Sequence, residues 1–93
     1  MQIQFETDGK KGAAFIEQDG TRIAAMEFTM AGPNIMIIQH TEVDDSLRGQ
    51  GAGRKLLDQL ISYVKDHDIK IIPLCPYANS VFKKDPSIRD VLH

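Results

Sequence analysis

Leu47-Arg48-Gly49-Gln50-Gly51-Ala52-Gly53-Arg54-Lys55 places three glycines within five residues, directly ahead of an apolar pattern of helical period. Each glycine inside a helical turn costs ~1 kcal/mol relative to alanine, so a turn with no other duty has little reason to carry three. Close approach of the backbone to a ligand accounts for them. A glycine-rich turn feeding a helix amino terminus presents free N–H groups and the positive end of the helix dipole, which together suit phosphate or pyrophosphate. Arg54 and Lys55, in or near the first turn, oppose that dipole by about 0.3–1 kcal/mol each, a penalty that an anionic ligand reverses. The plainer alternative is a tight turn followed by solvated basic side chains.

Spacing narrows the ligand. The Walker pattern fails because Leu56 follows Lys55 and leaves no hydroxyl for magnesium. The dinucleotide pattern fails because Gly49, Gly51 and Gly53 are evenly spaced and the loop follows a β-rich half of the chain.

Downstream, Leu56, Leu57, Leu60, Ile61 and Val64 form a helical stripe that predicts a helix from Leu56 to about Asp66. Ile69 to Leu74 reads as a strand, and its place after a helix predicts that it lies parallel to the strand before that helix, completing a βαβ unit. Cys75-Pro76 starts a second helix through about Lys83, since proline at the first helical position loses no useful donor. Asp85-Pro86-Ser87 then caps a short turn holding Ile88, Val91 and Leu92.

Upstream, Ile35 to Val43 is β-branched and apolar at its start, as a central strand covered on both faces would be. Gly32-Pro33-Asn34 is a turn joining it to a strand from Arg22 to Ala31. Asp19-Gly20 supplies the positive φ angles of a tight hairpin back to a strand from Ala13 to Glu17. Before the turn formers Asp8 to Gly12, Ile3 and Phe5 alternate with polar residues as in a half-buried strand. The fold class is therefore mixed α/β (α+β), with a mainly antiparallel sheet, one βαβ unit and short carboxy-terminal helices.

The chain has 93 residues, enough for a single domain over 1–93 and too few for two. With 11 Lys plus Arg against 13 Asp plus Glu, it has no basic excess, so neither a nucleic-acid partner nor a polybasic membrane contact is expected. No run approaches the ~18 apolar residues of a membrane span, and the start lacks a secretory pattern. Cys75 is the one cysteine and has no intramolecular disulfide partner, so a reducing, cytoplasmic location is expected. Either a monomer or a weak dimer is expected, since an exposed edge strand is able to pair a second copy.

Arg48-x-x-Gly51-x-Gly53, set between an apolar strand and an amphipathic helix, resembles the acetyl-CoA pyrophosphate loop of the Gcn5-related N-acetyltransferases. His40-Thr41-Glu42-Val43 entering that loop, and Pro73-Leu74-Cys75-Pro76-Tyr77 after the next strand, resemble the small single-domain branch of that superfamily. The resemblance implies a pantetheine arm lying against the backbone of Thr41 to Val43. It implies a pyrophosphate held by the amides of Gln50, Gly51, Ala52, Gly53 and Arg54, with the Arg48 side chain beside it. It further implies acetyl-CoA (or CoA) as cosubstrate, without a metal, and acetyl transfer to an unidentified amine or protein acceptor, directly or by way of Cys75. Larger members carry helices between the first two strands; here only Thr7 to Gly12 connects them, which implies an open acceptor site. The other reading is a non-catalytic CoA-binding or protein-interaction module.

Four residues are candidates for the chemistry. Cys75 at a strand-to-helix junction has the environment that lowers a thiol pKa and makes a nucleophile toward a thioester; the alternative is a small buried hydrophobe. His40 is the first candidate base, for Cys75 or for an incoming ammonium, and Glu42 the second; structural or solvated roles stand beside both. Tyr77 can donate a proton to departing CoA thiolate, or simply pack with its hydroxyl wet. Nothing in the spacing of His40, Glu42 and Cys75 demands zinc. His67 and His93 read as surface residues, and Phe82, Ile88 and Val91 as core.

Overall fold

The computed structural model describes every residue from Met1 to His93. Five strands form one sheet in chain order: β1 (Gln4–Thr7), β2 (Lys11–Gln18), β3 (Thr21–Met30), β4 (Ile35–Val43) and β5 (Lys70–Pro73). The first four pair antiparallel through short turns, and β5 joins β4 in parallel after the crossover helix α1 (Ala52–His67). Helix α2 (Pro76–Lys84) and a 3-10 turn (Pro86–Val91) follow. Asp19 and Gly20 adopt φ of 53° and 78°, as their hairpin requires.

Both helices lie on one face of the sheet. The α1 stripe of Leu56, Leu57, Leu60 and Val64 is fully excluded from water against Met26, Phe28, Met36 and Ile38. Burying each such side chain contributes on the order of 2 kcal/mol, which makes this layer the main source of stability. Phe82, Ile88 and Val91 belong to the same core.

Two expectations are corrected here. Strand β4 is not covered on both faces: Met36 and Ile38 are buried, whereas Ile35 and Ile37 on the other face are half-buried. No helix covers that face, which carries only the small cluster Ala13, Phe15 and Ala25, with the Arg22 guanidinium 3.8 Å above the Phe15 ring. And α1 begins at Ala52, four residues before Leu56, so Gly53 lies inside the helix. The apolar stripe marked where most of α1 packs; its first turn adds only the small Ala52 to the core, too little to announce a helix start.

Gly12 is fully committed to β2. A Cβ there would run into the Glu6 carbonyl and lie 2.7 Å from Phe28 Cζ. Gly12→Ala is expected to destabilise the protein by about 1–3 kcal/mol, read as a lowered urea midpoint; an unchanged midpoint would refute the packing described.

Candidate functional site

The site grows from a defect in the sheet. Strand β4 pairs with β5 only from Ile35 to Ile38, where Ile38 faces Pro73. One residue later β4 bulges: Phe28 pairs with Ile38 and Glu27 with His40, leaving Gln39 as the extra residue. Opposite it, Pro73 has no N–H to offer a ladder, and Pro76 opens α2. The strands part there, and the backbone from Gln39 to Val43 has no partner on its β5 side.

The bulge also reassigns the faces of β4. Uninterrupted alternation from Ile38 would direct His40 toward the helices; instead Thr41 pairs with Met26 of the core, and His40 pairs with exposed Glu27. Thr41 Oγ1 lies 3.1 Å from Cys75 Sγ. His40 Nε2 and Glu42 Oε1 meet each other at 3.2 Å on the opposite, open face. The expectation of His40 as a base for Cys75 is therefore overturned, and His40, Glu42 and Cys75 do not converge on one point for zinc.

Cys75 is buried at the amino-terminal cap position of α2, and its backbone N–H donates to the Ile38 carbonyl at 2.9 Å. Burial works against its thiolate and is the largest single influence. The Thr41 hydroxyl and the backbone N–H groups of Ala78 and Tyr77 together outweigh it, leaving the thiol below its ordinary pKa. Asn79 secures the junction, its N–H donating to the Cys75 carbonyl at 2.9 Å and its side-chain amide to Pro73 at 3.3 Å.

The glycine loop sits beside this gap. Asp44 caps a 3-10 turn over Asp45–Leu47 by accepting from the Ser46 N–H at 2.8 Å. Gly49 and Gly51 then take φ of 80° and 70°, and Gly51 is the amino-terminal cap of α1. The first intrahelical bond runs from the Lys55 N–H to the Gly51 carbonyl, so the amides of Gly51, Ala52, Gly53 and Arg54 donate to no protein acceptor. Gln50 differs from the expectation: its N–H is already used by the Leu47 carbonyl at 3.2 Å. Arg48 is exposed and paired with Asp45 at 3.2 Å, free to turn toward an anion.

Gly53 meets Tyr77. A Cβ on Gly53 would lie 2.7 Å from Tyr77 Cζ, so the ring rests directly on the first turn of α1. Partial burial raises the Tyr77 pKa, with Asp58 and Cys75 adding to the shift and Arg54 opposing it; the phenol stays protonated at neutral pH.

The charge of Arg54 is not waiting for a ligand. Its guanidinium contacts Asp58 at 2.8 Å and Asp85 at 2.9 Å, and these partners raise its pKa. Asp58 stands four residues on in the same helix, a spacing legible in the sequence; Asp85 could not be found that way. Asp85 also accepts from the Ser87 N–H at 3.0 Å and hydroxyl at 2.6 Å, and Ser87 followed by Arg54 holds its carboxyl below the usual range. Such a group stabilises the fold above its unfolded pKa, and the gain disappears as pH falls through the lowered folded value. The stability advantage of wild type over Asp85→Asn, compared by urea midpoints at about pH 7 and about pH 3, is therefore expected to shrink in acid. An advantage unchanged at the lower pH would refute it.

Two hollows, of about 520 and 500 Å³, lie on the open face around Arg22 and Glu27 and include neither Cys75 nor the loop. A rim of backbone donors needs no enclosed volume. No helix is long and apolar enough to cross a membrane.

A mainly antiparallel sheet whose one parallel strand returns through a glycine-capped helix has the architecture of the N-acetyltransferase class. The chain belongs to the GCN5-related N-acetyltransferase family, whose sequence model matches residues 13–91. Protein NATD1 of Gallus gallus is 31% identical over 85 residues, covering 90% of this chain and 77% of that protein. NATD1 of Homo sapiens is 32% identical over 85 residues, covering 90% and 75%. A solved structure from Staphylococcus aureus, described as GCN5-like, superposes with a TM-score of 0.73 at 28% identity, over 97% of this chain and 87% of that one.

Proposed function

We propose that residues 1–93 act as a single cytoplasmic domain that binds acetyl-CoA and transfers its acetyl group to an amine. The observation that carries this reading is the row of four uncommitted amides, Gly51 to Arg54, beside the gap where β4 leaves β5. A pyrophosphate on those amides, with Arg48 turned toward it, directs the pantetheine arm along the unpaired backbone of Thr41 to Val43. The thioester then lies near Cys75 and Tyr77.

In direct transfer, a neutral amine attacks the thioester carbonyl while a backbone N–H near Val43 stabilises the developing oxyanion. The C–S bond breaks, and Tyr77 protonates the departing CoA thiolate. In the two-step route the Cys75 thiolate attacks first, an acetyl-cysteine forms as CoA leaves, and the amine then displaces Cys75. His40 and Glu42, on the other face, retain one role from the sequence reading: taking the proton of an acceptor that approaches across the open face. The short β1–β2 connection leaves that face uncovered, which suits a bulky acceptor such as a protein side chain.

Two measurements test the reading. The protein is incubated with acetyl-CoA and a mixed pool of polyamines, amino acids and peptides; CoA release above the buffer rate is expected. Binding without release would leave a non-catalytic CoA-binding module. Intact mass then separates the routes, since full turnover with no acetyl on the protein would eliminate the Cys75 intermediate.

A further inference from the structure

The two halves of the site stand on different elements. The phosphate-type amides belong to the first turn of α1, whereas Cys75 and Tyr77 open α2. Both helices pack on the carboxy-terminal 3-10 turn. That turn is fastened to α2 by Arg89, whose guanidinium donates to the Phe82 carbonyl at 2.7 Å and to the Lys83 carbonyl. Asp85, at the junction of α2 and the turn, reaches across to Arg54 in the first turn of α1 at 2.9 Å. The same first turn carries Gly53 against the Tyr77 ring.

We infer that Asp85 is a positioning residue: through Arg54 it holds the amino terminus of α1 in register with α2, and so sets the span between the phosphate cradle and Cys75. This rests on the function proposed above. Both side chains of this pair are partly buried, so solvent screens it only in part, and its loss is felt where the two elements meet. A ligand that engages two sites through a fixed linker gains from simultaneous contact only when the sites match its span. Loosening the register therefore weakens a ligand that bridges both elements and spares one that touches only the loop.

The test compares acetyl-CoA, which bridges the two, with ADP, which carries the diphosphate alone. Asp85→Asn keeps an oxygen for Ser87 and removes the charge that Arg54 meets. It is expected to raise the acetyl-CoA dissociation constant about tenfold, about 1.4 kcal/mol, while the ADP constant, followed by NMR titration, stays within about twofold. Asp85→Glu is expected to recover acetyl-CoA binding to within about threefold of wild type. Asp58→Ala removes the Arg54 partner within α1 and leaves the cross-element pair, so both constants should stay within about twofold. Circular dichroism checks that each variant is folded, and Ser87→Ala, which removes only the hydroxyl bond to Asp85 and keeps the backbone cap, is expected to leave both constants within about twofold. Equal weakening of both ligands, no weakening of acetyl-CoA, or an Asp58→Ala effect as large as that of Asp85→Asn would overturn the inference. Wild type that binds no acetyl-CoA would instead overturn the proposed function itself.

Discussion

Gly53→Val is expected to raise the dissociation constant for acetyl-CoA at least a hundredfold, about 2.7 kcal/mol, with the fold retained. Its amide is one of the four uncommitted donors, and any Cβ at this position meets Tyr77 Cζ at 2.7 Å and the phenol oxygen at 2.8 Å. The ring, 39% exposed, can swing away, so the protein survives. What changes is the surface: a branched side chain stands on the amides of the first turn, and Tyr77 leaves the place proposed above for the thioester. Gly53→Ala gains ~1 kcal/mol of helix propensity against the same displacement, so its net stability change is small. Gln50→Ala is the contrast. The Gln50 side chain bonds only to the Ser46 carbonyl at 3.3 Å and its backbone N–H is already spent, so binding is expected to change less than about threefold. Calorimetric titration of the three variants decides the matter; Gly53→Val binding as wild type does would remove the loop from the site.

Leu60→Ala is expected to cost about 3–4 kcal/mol of stability. Leu60 is completely buried at the middle of α1, where the helix meets the sheet. Removing three carbons there forfeits transfer free energy and leaves a cavity that the rigid strands beneath cannot close. For a domain of this size each kcal/mol moves the melting temperature by roughly 4–8 °C, which gives a fall of roughly 12–30 °C. Since total stabilities are about 5–15 kcal/mol, the variant sits near the edge of folding at ordinary temperature. Thermal unfolding followed by circular dichroism measures it, and a fall under about 5 °C would mean that α1 packs less tightly than described.

These two expectations differ in how they could be reached. The Leu60 prediction was available from periodicity, because a stripe of apolar residues every three or four positions has one physical use in a short chain, to cover a sheet. The Gly53 prediction needed coordinates. In the sequence, Gly53 is one of three loop glycines with a shared presumed duty. In the structure Gly49 and Gly51 hold left-handed conformations with open space around them, whereas Gly53 is helical and bare because Tyr77 lies on it. Gly12, read as a turn former, is likewise bare because β1 and Phe28 crowd it.

Local signals were enough wherever the physics is local. The Asp19-Gly20 hairpin, the parallel return of β5 and the proline start of α2 all follow from the conformations those residues permit and from the geometry of a βαβ crossover. The glycine loop and Cys75 were legible as a candidate site for the same reason. What the chain did not announce is the facing of its polar residues. A single extra residue at Gln39 turned Thr41, with no side-chain role expected, toward Cys75 and sent His40 and Glu42 to the other side. A bulge arises from pairing between strands, and no property of Gln39 alone specifies it. Arg54 shows the same divide: its position at a helix start was readable, but the carboxylate of Asp85 reaches it only because the chain folds back across the sheet.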